Sequence, residues 1–191
     1  MTYLILGLIL FLGVHSTRIV ADGARTRAIE RMGANAWKGL YALISLAGFA
    51  LIVWGYGLSR AEGGFLWNPP VWTRHVTALL MLVSFILLAA AYVPGNSIKA
   101  AVGHPMAAGV KIWAFAHLLS NGRLGDIVLF GAFLVWAVAS FTAARRRDRA
   151  AGVVYPSRGA MPTLAACGAG LALYLGFVFG LHMWLIGVRP Y

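Results

Sequence analysis

Carboxylates and cysteine are what this chain has least of. Its 191 residues include 5 Asp and Glu and 1 cysteine, Cys167. A single thiol excludes an internal disulfide and leaves too few sulfur ligands for cysteine-based zinc or iron–sulfur centres. Charge of either sign is sparse, at 11% of residues against 61% hydrophobic, where an ordinary soluble domain carries roughly 25% charged residues. That composition excludes a soluble domain and makes the lipid bilayer the expected surroundings. The 16 Lys and Arg give a formal charge of +11, and nucleic acid would need them gathered into a face or stripe. They lie instead between apolar runs, where basic clusters orient a multi-pass protein and meet anionic headgroups. No nucleic-acid partner is expected. The apolar opening, Met1 to Val14, lacks a basic leader and a small-residue cleavage site and is read as the first membrane helix.

About 20 apolar residues are needed to cross about 30 Å of hydrocarbon. On that measure the sequence predicts an all-α, polytopic bundle of about six spans in one domain, residues 1–191, with spans at 3–20, 37–57, 75–93, 106–120, 124–144 and 161–188. Ala21 to Ala36 reads as an interfacial helix or turn, and Ser59 to Arg74 as a polar connection at the membrane surface. The fourth span is short and carries Lys111, so it must be tilted or shielded. Arg145, Arg146, Arg147, Asp148 and Arg149 are expected to stop the fifth. In the sixth, Gly168, Ala172, Gly176 and Gly180 form a small-residue ridge expected to pack inside the bundle.

With six spans, the loops after the first, third and fifth hold Arg18, Arg25, Arg27, Arg31, Lys38, Lys99, the Arg145–Arg149 cluster and Arg158. The other side has Arg60, Arg74, Arg123 and Arg189. The positive-inside rule then predicts a multi-pass protein of the bacterial inner (cytoplasmic) membrane with both termini periplasmic. Dropping the fourth span would set the two basic clusters on opposite sides, which favours six.

Chemistry has to come from few groups, because the spans contain essentially no carboxylate. Of 5 histidines, His15 and His117 lie well within spans, His182 near the outer end of the sixth, His75 at the start of the third, and His104 in the turn before the fourth. An ionisable group at membrane depth is a functional-site hypothesis by default. Two neutral imidazoles can each offer one nitrogen to an iron while the other is held by a carbonyl or hydroxyl. Interhelical hydrogen bonding is the alternative role for such histidines. Ser16 follows His15; around His117, Trp113 and Ala114 precede, and Ser120 and Asn121 follow, at one helical turn, which sets a polar cluster beside a small residue with room for a planar ligand.

Three motifs carry a family resemblance. Gly13-Val14-His15-Ser16, Gly103-His104-Pro105-Met106, and the run from Trp113 through Ala114, His117, Ser120 and Asn121 to Gly122 resemble the NnrU family, which also includes the plant 15-cis-zeta-carotene isomerase. The resemblance extends over most of the chain. It implies a haem b between helices with axial ligands on the positions of His15 and His117, beside Ser16, Trp113 and Ala114. Lys111, Arg123, Arg18 and Arg74 are then candidate propionate partners. It also implies either cis–trans isomerisation of a carotenoid-like lipid, a hydrophobic polyene, or a redox role linked to nitrogen-oxide metabolism, with a nitrogen-oxide ligand and a redox partner that the sequence does not identify. Three positions depart from the family pattern. Ala114 stands where the isomerase has a cysteine, Gly103 precedes His104-Pro105 where arginine is usual, and Arg123 follows Asn121-Gly122 where aspartate is frequent.

The His104-Pro105 pair also resembles membrane methyltransferases of the isoprenylcysteine type. Those carry a late Arg and Glu pair, whereas the glutamates here, Glu30 and Glu62, are both early. A non-catalytic assembly factor is the third alternative.

Overall fold

The computed structural model describes residues 1–62 and 64–190. Its elements are α1 (Thr2–Val20), α2 (Asp22–Met32), α3 (Ala34–Glu62), α4 (Trp72–Tyr92), α5 (Ser97–Val102), α6 (Pro105–Ser120), α7 (Leu124–Ala151), α8 (Ala160–Gly176), a π-helical turn (Phe177–Leu181) and α9 (His182–Ile186). The protein is all-α. Among the described residues the one extended pairing is an isolated bridge between Phe65 and Arg123. Helices α1, α3, α4, α7 and the run from α8 to α9 are long and apolar enough to cross a membrane. Helix α6, the expected fourth span, has 16 residues. At 1.5 Å per residue it reaches about 24 Å, short of the hydrocarbon thickness. It lies between α4 and α7, and Lys111 is shielded there, its ammonium 4.6 Å from the centre of the Phe141 ring.

Three boundaries differ from expectation, the first because helix propensity and hydrophobicity end at different residues. The Arg145–Arg149 run does not stop the fifth span's helix, which continues to Ala151. Arg and Ala are strong helix formers, so the charges end the apolar stretch without ending the helix. The stop comes at Gly152, which takes a left-handed conformation with φ of 62°. Helix α3 starts at Ala34 and ends at Glu62, longer at both ends than the apolar run. The last span is interrupted by the π-helical turn.

The small-residue ridge of the last span is a correction. Gly168, Ala172 and Gly180 are exposed, and a Cβ added at Gly168 or Gly180 meets nothing within 4 Å. That helix packs on α4 through another face, where Ala166 and Gly170 are buried; a Cβ at Gly170 would stand 2.5 Å from the Ile86 Cα. Among the long helices α8 contacts only α4, so it lines the edge of the bundle. Close glycine packing is found between α1 and α3. A Cβ at Gly7 would be 2.6 Å from the Ile52 amide nitrogen, one at Gly48 would be 2.7 Å from that of Phe11, and Gly55 lies against the backbone of Leu4. Gly48 and Gly55 are seven residues apart and so share one face of α3.

The helices form two groups joined by α7. One is α1 with α3; the other is α4 with α6 and α8. Helix α7 contacts α1, α3 and α6, whereas neither α1 nor α3 contacts α4 or α6. Leu4, Leu8, Ile52, Leu129 and Phe130 form the buried core along α7.

At the basic end, the fully buried Asn96 side chain accepts from the Lys99 amide and donates to the Ala90 and Val93 carbonyls, at 2.7, 2.8 and 2.5 Å. It thereby builds the turn between α4 and α5. His104 Nε2 lies 2.7 Å from Asp148 Oδ2, which also accepts from the Tyr155 hydroxyl at 3.0 Å. This cluster ties the start of α6 to the end of α7. Burial, with the hydrogen bond to Asp148 and its charge, holds the Tyr155 phenol above its ordinary pKa.

Candidate functional site

His15 and His117 are set up in the same way on different helices. His15 Nδ1 lies 2.6 Å from the Phe11 carbonyl, and His117 Nδ1 lies 2.9 Å from the Trp113 carbonyl. A carbonyl oxygen only accepts, so Nδ1 carries the proton in each ring and the neutral imidazole keeps its lone pair on Nε2. Both rings lie back over the preceding turn of their helix, the direction a helical Cα–Cβ bond dictates. Helices α1 and α7 run the same way, since Phe11 meets Phe133 and Arg18 meets Arg147. Helix α6 runs against α7, with Trp113 beside Phe133 and Lys111 over Phe141. The two imidazoles therefore lean toward each other in depth.

Aromatic rings from α7 occupy the region between them. His15 is stacked on Phe11 at 4.2 Å between ring centres, with Tyr41 of α3 at 5.1 Å and Trp136 of α7 at 6.1 Å. His117 is stacked on Phe130 at 4.6 Å and has Trp113 at 5.4 Å. Phe133 joins the two groups, 5.9 Å from Phe11 and 5.4 Å from Trp113. Trp136 and Phe130 are six positions apart, so the histidine sites are offset by about 9 Å along α7.

Among the described residues two buried side-chain polar atoms have no hydrogen-bond partner, Trp136 Nε1 and Ser45 Oγ. Trp136 is one of the rings around His15, and Ser45 stands one turn beyond Tyr41 on α3. Such groups are rare in an apolar interior, and these lie on the two helices that flank His15. Among the described residues no three His, Cys, Asp or Glu side chains come together. Two imidazoles are too few for a bare metal ion, which takes four ligands or more. They suffice for a haem iron, whose porphyrin brings four nitrogens and leaves two axial positions. In kind and number the two Nε2 donors match that group, with the ring of Phe133 and an offset of about 9 Å along α7 lying between them.

The remaining expected site residues fall in different places. Trp113 touches His117 directly and supplies its carbonyl. Ala114 is fully buried, so the small residue is used in helix packing. Ser16 donates to the Leu12 carbonyl at 2.6 Å and faces a groove on the far side of the α1–α7 contact. Asn121 donates to the His117 carbonyl at 2.9 Å, closing the end of α6 without reaching the imidazole. The Arg123 guanidinium is held by the Arg60 carbonyl and the Phe65 ring, while Arg18 opens toward a basic cavity and Arg74 is exposed.

His75 is exposed, His104 belongs to the Asp148 cluster, and His182 Nδ1 donates to the Val188 carbonyl at 2.7 Å. Sequence reasoning missed Asp126. This buried carboxylate accepts from the Tyr56 hydroxyl at 2.8 Å and from the Arg123 amide at 3.1 Å, at the end of α7 nearest His117. The signal available was Asp126 at the third position of a helix opening after Asn121-Gly122, a capping position.

A protein-family model described as NnrU protein matches residues 3–190. No curated protein and no solved structure matches the chain.

Proposed function

The chain belongs to the NnrU family, and on that premise we propose that it is a membrane haem protein, with one b-type haem held between α1 and α6 by His15 and His117. The observation that carries this reading is the matched pair of imidazoles, each with Nδ1–H fixed by the carbonyl four residues earlier and Nε2 free to ligate. A carbonyl partner both fixes the ring and raises its basicity as a ligand. The haem, when bound by this pair of imidazoles, would supply a one-electron couple.

The chain's own residues favour a redox role, linked to nitrogen-oxide metabolism as the family name suggests, over isomerisation of a polyene. Ala114 offers no sulfur at the position where the plant isomerase carries a cysteine. The only cysteine, Cys167, lies on α8, which contacts none of α1, α6 and α7. A thiolate therefore has no way to replace His117. Phe11, Phe130, Phe133 and Trp113 keep water from the ligands, and Phe11 and Trp113 hold the imidazole protons through their carbonyls. We place the protein in the bacterial inner membrane, with the basic end in the cytoplasm and both termini in the periplasm.

The test is the absorption spectrum of detergent-purified protein from haem-replete cells, oxidised and dithionite-reduced, with a pyridine haemochrome assay. A low-spin b-type spectrum near one haem per chain is expected. His15→Ala and His117→Ala should each lose haem or turn high-spin, whereas His75→Ala should not. A featureless spectrum, or an unchanged low-spin spectrum in both ligand variants, overturns the reading and leaves an assembly role, seen as a co-purifying partner.

A further inference from the structure

Two cavities open along the outer seam between α1 and α7. The first, at the basic end, has a volume of about 580 Å3 and is walled by Arg18, Arg146 and Arg147. The second, about 450 Å3, is apolar and runs along Leu12, Gly131, Val135 and Trp136. Ile19 and Ala139 line both, so they form one continuous groove with a cationic end and an apolar length. From Ala139 to Gly131 that length is eight residues of α7, about 12 Å. The seam borders the His15 side of α1, with Trp136 between them, but neither His15 nor His117 lines it.

Among the described residues Arg18 and Arg146 form no ion pair, while Arg147 also feels the charge of Asp148, which is shared with His104 and Tyr155. Asp22, the one acidic residue in the basic cavity, is matched by Arg25 at 3.7 Å. Arg147 donates to the Arg18 carbonyl at 3.2 Å, which draws the two guanidinium-bearing segments together without neutralising either. Three guanidiniums at the end of a transmembrane seam suit a phosphate, for which arginine offers paired donors. The groove also has unused space in its apolar part, since a Cβ at Gly131 would meet nothing within 4 Å.

We propose that this seam binds one anionic glycerophospholipid, its phosphate held by Arg18, Arg146 and Arg147 and one acyl chain laid along the groove to Gly131. A zwitterionic lipid would bring its own ammonium into the arginine cluster and is disfavoured. Free phosphate would use the cationic end and leave the apolar length empty.

The experiment is native mass spectrometry of the full chain in detergent, titrated with phosphatidylglycerol or with phosphatidylcholine of the same acyl chains. Phosphatidylglycerol should be retained in preference. Each basic residue near a membrane surface contributes about fivefold to the binding of anionic lipid, so R18Q/R146Q/R147Q should weaken it by on the order of a hundredfold. R27Q/R31Q/R149Q, of equal net charge but away from the groove, should behave like the unaltered protein. Gly131→Leu, whose Cβ has open space and whose longer side chain reaches into the groove, should also lose the lipid, and inorganic phosphate in excess should not displace it. Equal loss in the two arginine variants, undiminished binding to Gly131→Leu, displacement by phosphate, or no preference between the two lipids would each overturn the proposal.

Discussion

Replacing Gly48 with leucine tests the packing that holds His15 in place. A Cβ at Gly48 would stand 2.7 Å from the amide nitrogen and 3.0 Å from the Cα of Phe11, the residue whose carbonyl fixes His15. Overpacking costs about 1–3 kcal/mol where side chains can yield. Here the obstacle is the backbone of a neighbouring helix, so α1 and α3 must separate, and the upper figure of about 3 kcal/mol is the reasonable one. For a chain of this length each kcal/mol lowers the midpoint of thermal unfolding by about 2–4 °C, which gives a fall of about 6–12 °C. Gly168→Leu is the matched comparison. A Cβ there meets nothing within 4 Å, the position faces outward, and leucine is the better helix former by somewhat under about 1 kcal/mol, so the midpoint should hold or rise slightly. Both are read from melts of detergent-purified protein followed by intrinsic tryptophan fluorescence. If Gly168→Leu proves as damaging as Gly48→Leu, the last helix is packed on its glycine ridge and the assignment of the tight interface to α1 and α3 is wrong.

Two further outcomes follow from buried polar groups. Asn96→Ala removes three hydrogen bonds from a fully buried side chain and should cost about 2–3 kcal/mol, measured as a lower unfolding midpoint; an unchanged midpoint would mean that water replaces all three partners. Asp126→Ala and Tyr56→Phe should be non-additive, with a coupling of about 1 kcal/mol in a double-mutant cycle, because both remove the same 2.8 Å hydrogen bond; strict additivity would show that this bond contributes nothing.

Much of the fold could be read from the sequence because a bilayer demands long apolar runs and leaves few alternatives. Faces were harder to read than spans. The spacing of Gly168, Ala172, Gly176 and Gly180 says that small residues align, but not whether a neighbour lies on that side. In α3, Gly48 and Gly55 also share a face, and they pack against Phe11 and Leu4, two large residues that no small-residue pattern in α1 announces. The Arg145–Arg149 run marks the end of the apolar stretch, while the helix ends at Gly152, since backbone geometry and hydrophobicity stop at different residues. In the candidate site, the histidine positions and the carbonyl partner four residues earlier follow from helical periodicity. The pairs Tyr56 with Asp126 and His104 with Asp148 span 70 and 44 residues, and no local pattern announces them.

The joining role of α7 has a consequence for biogenesis. Helices α1 and α3 can enter the membrane and close on each other once residue 62 has emerged from the ribosome. The elements that bring His117 alongside, α6 and then α7, are made about 60 to 90 residues later, which at about 5–20 residues per second is a delay of several seconds or more. During that interval His15 sits on the α1–α3 hairpin without Trp136 of α7 beside it. A nascent chain stalled before Leu124 would present the closed α1–α3 hairpin with no α7 to join it to α4 and α6.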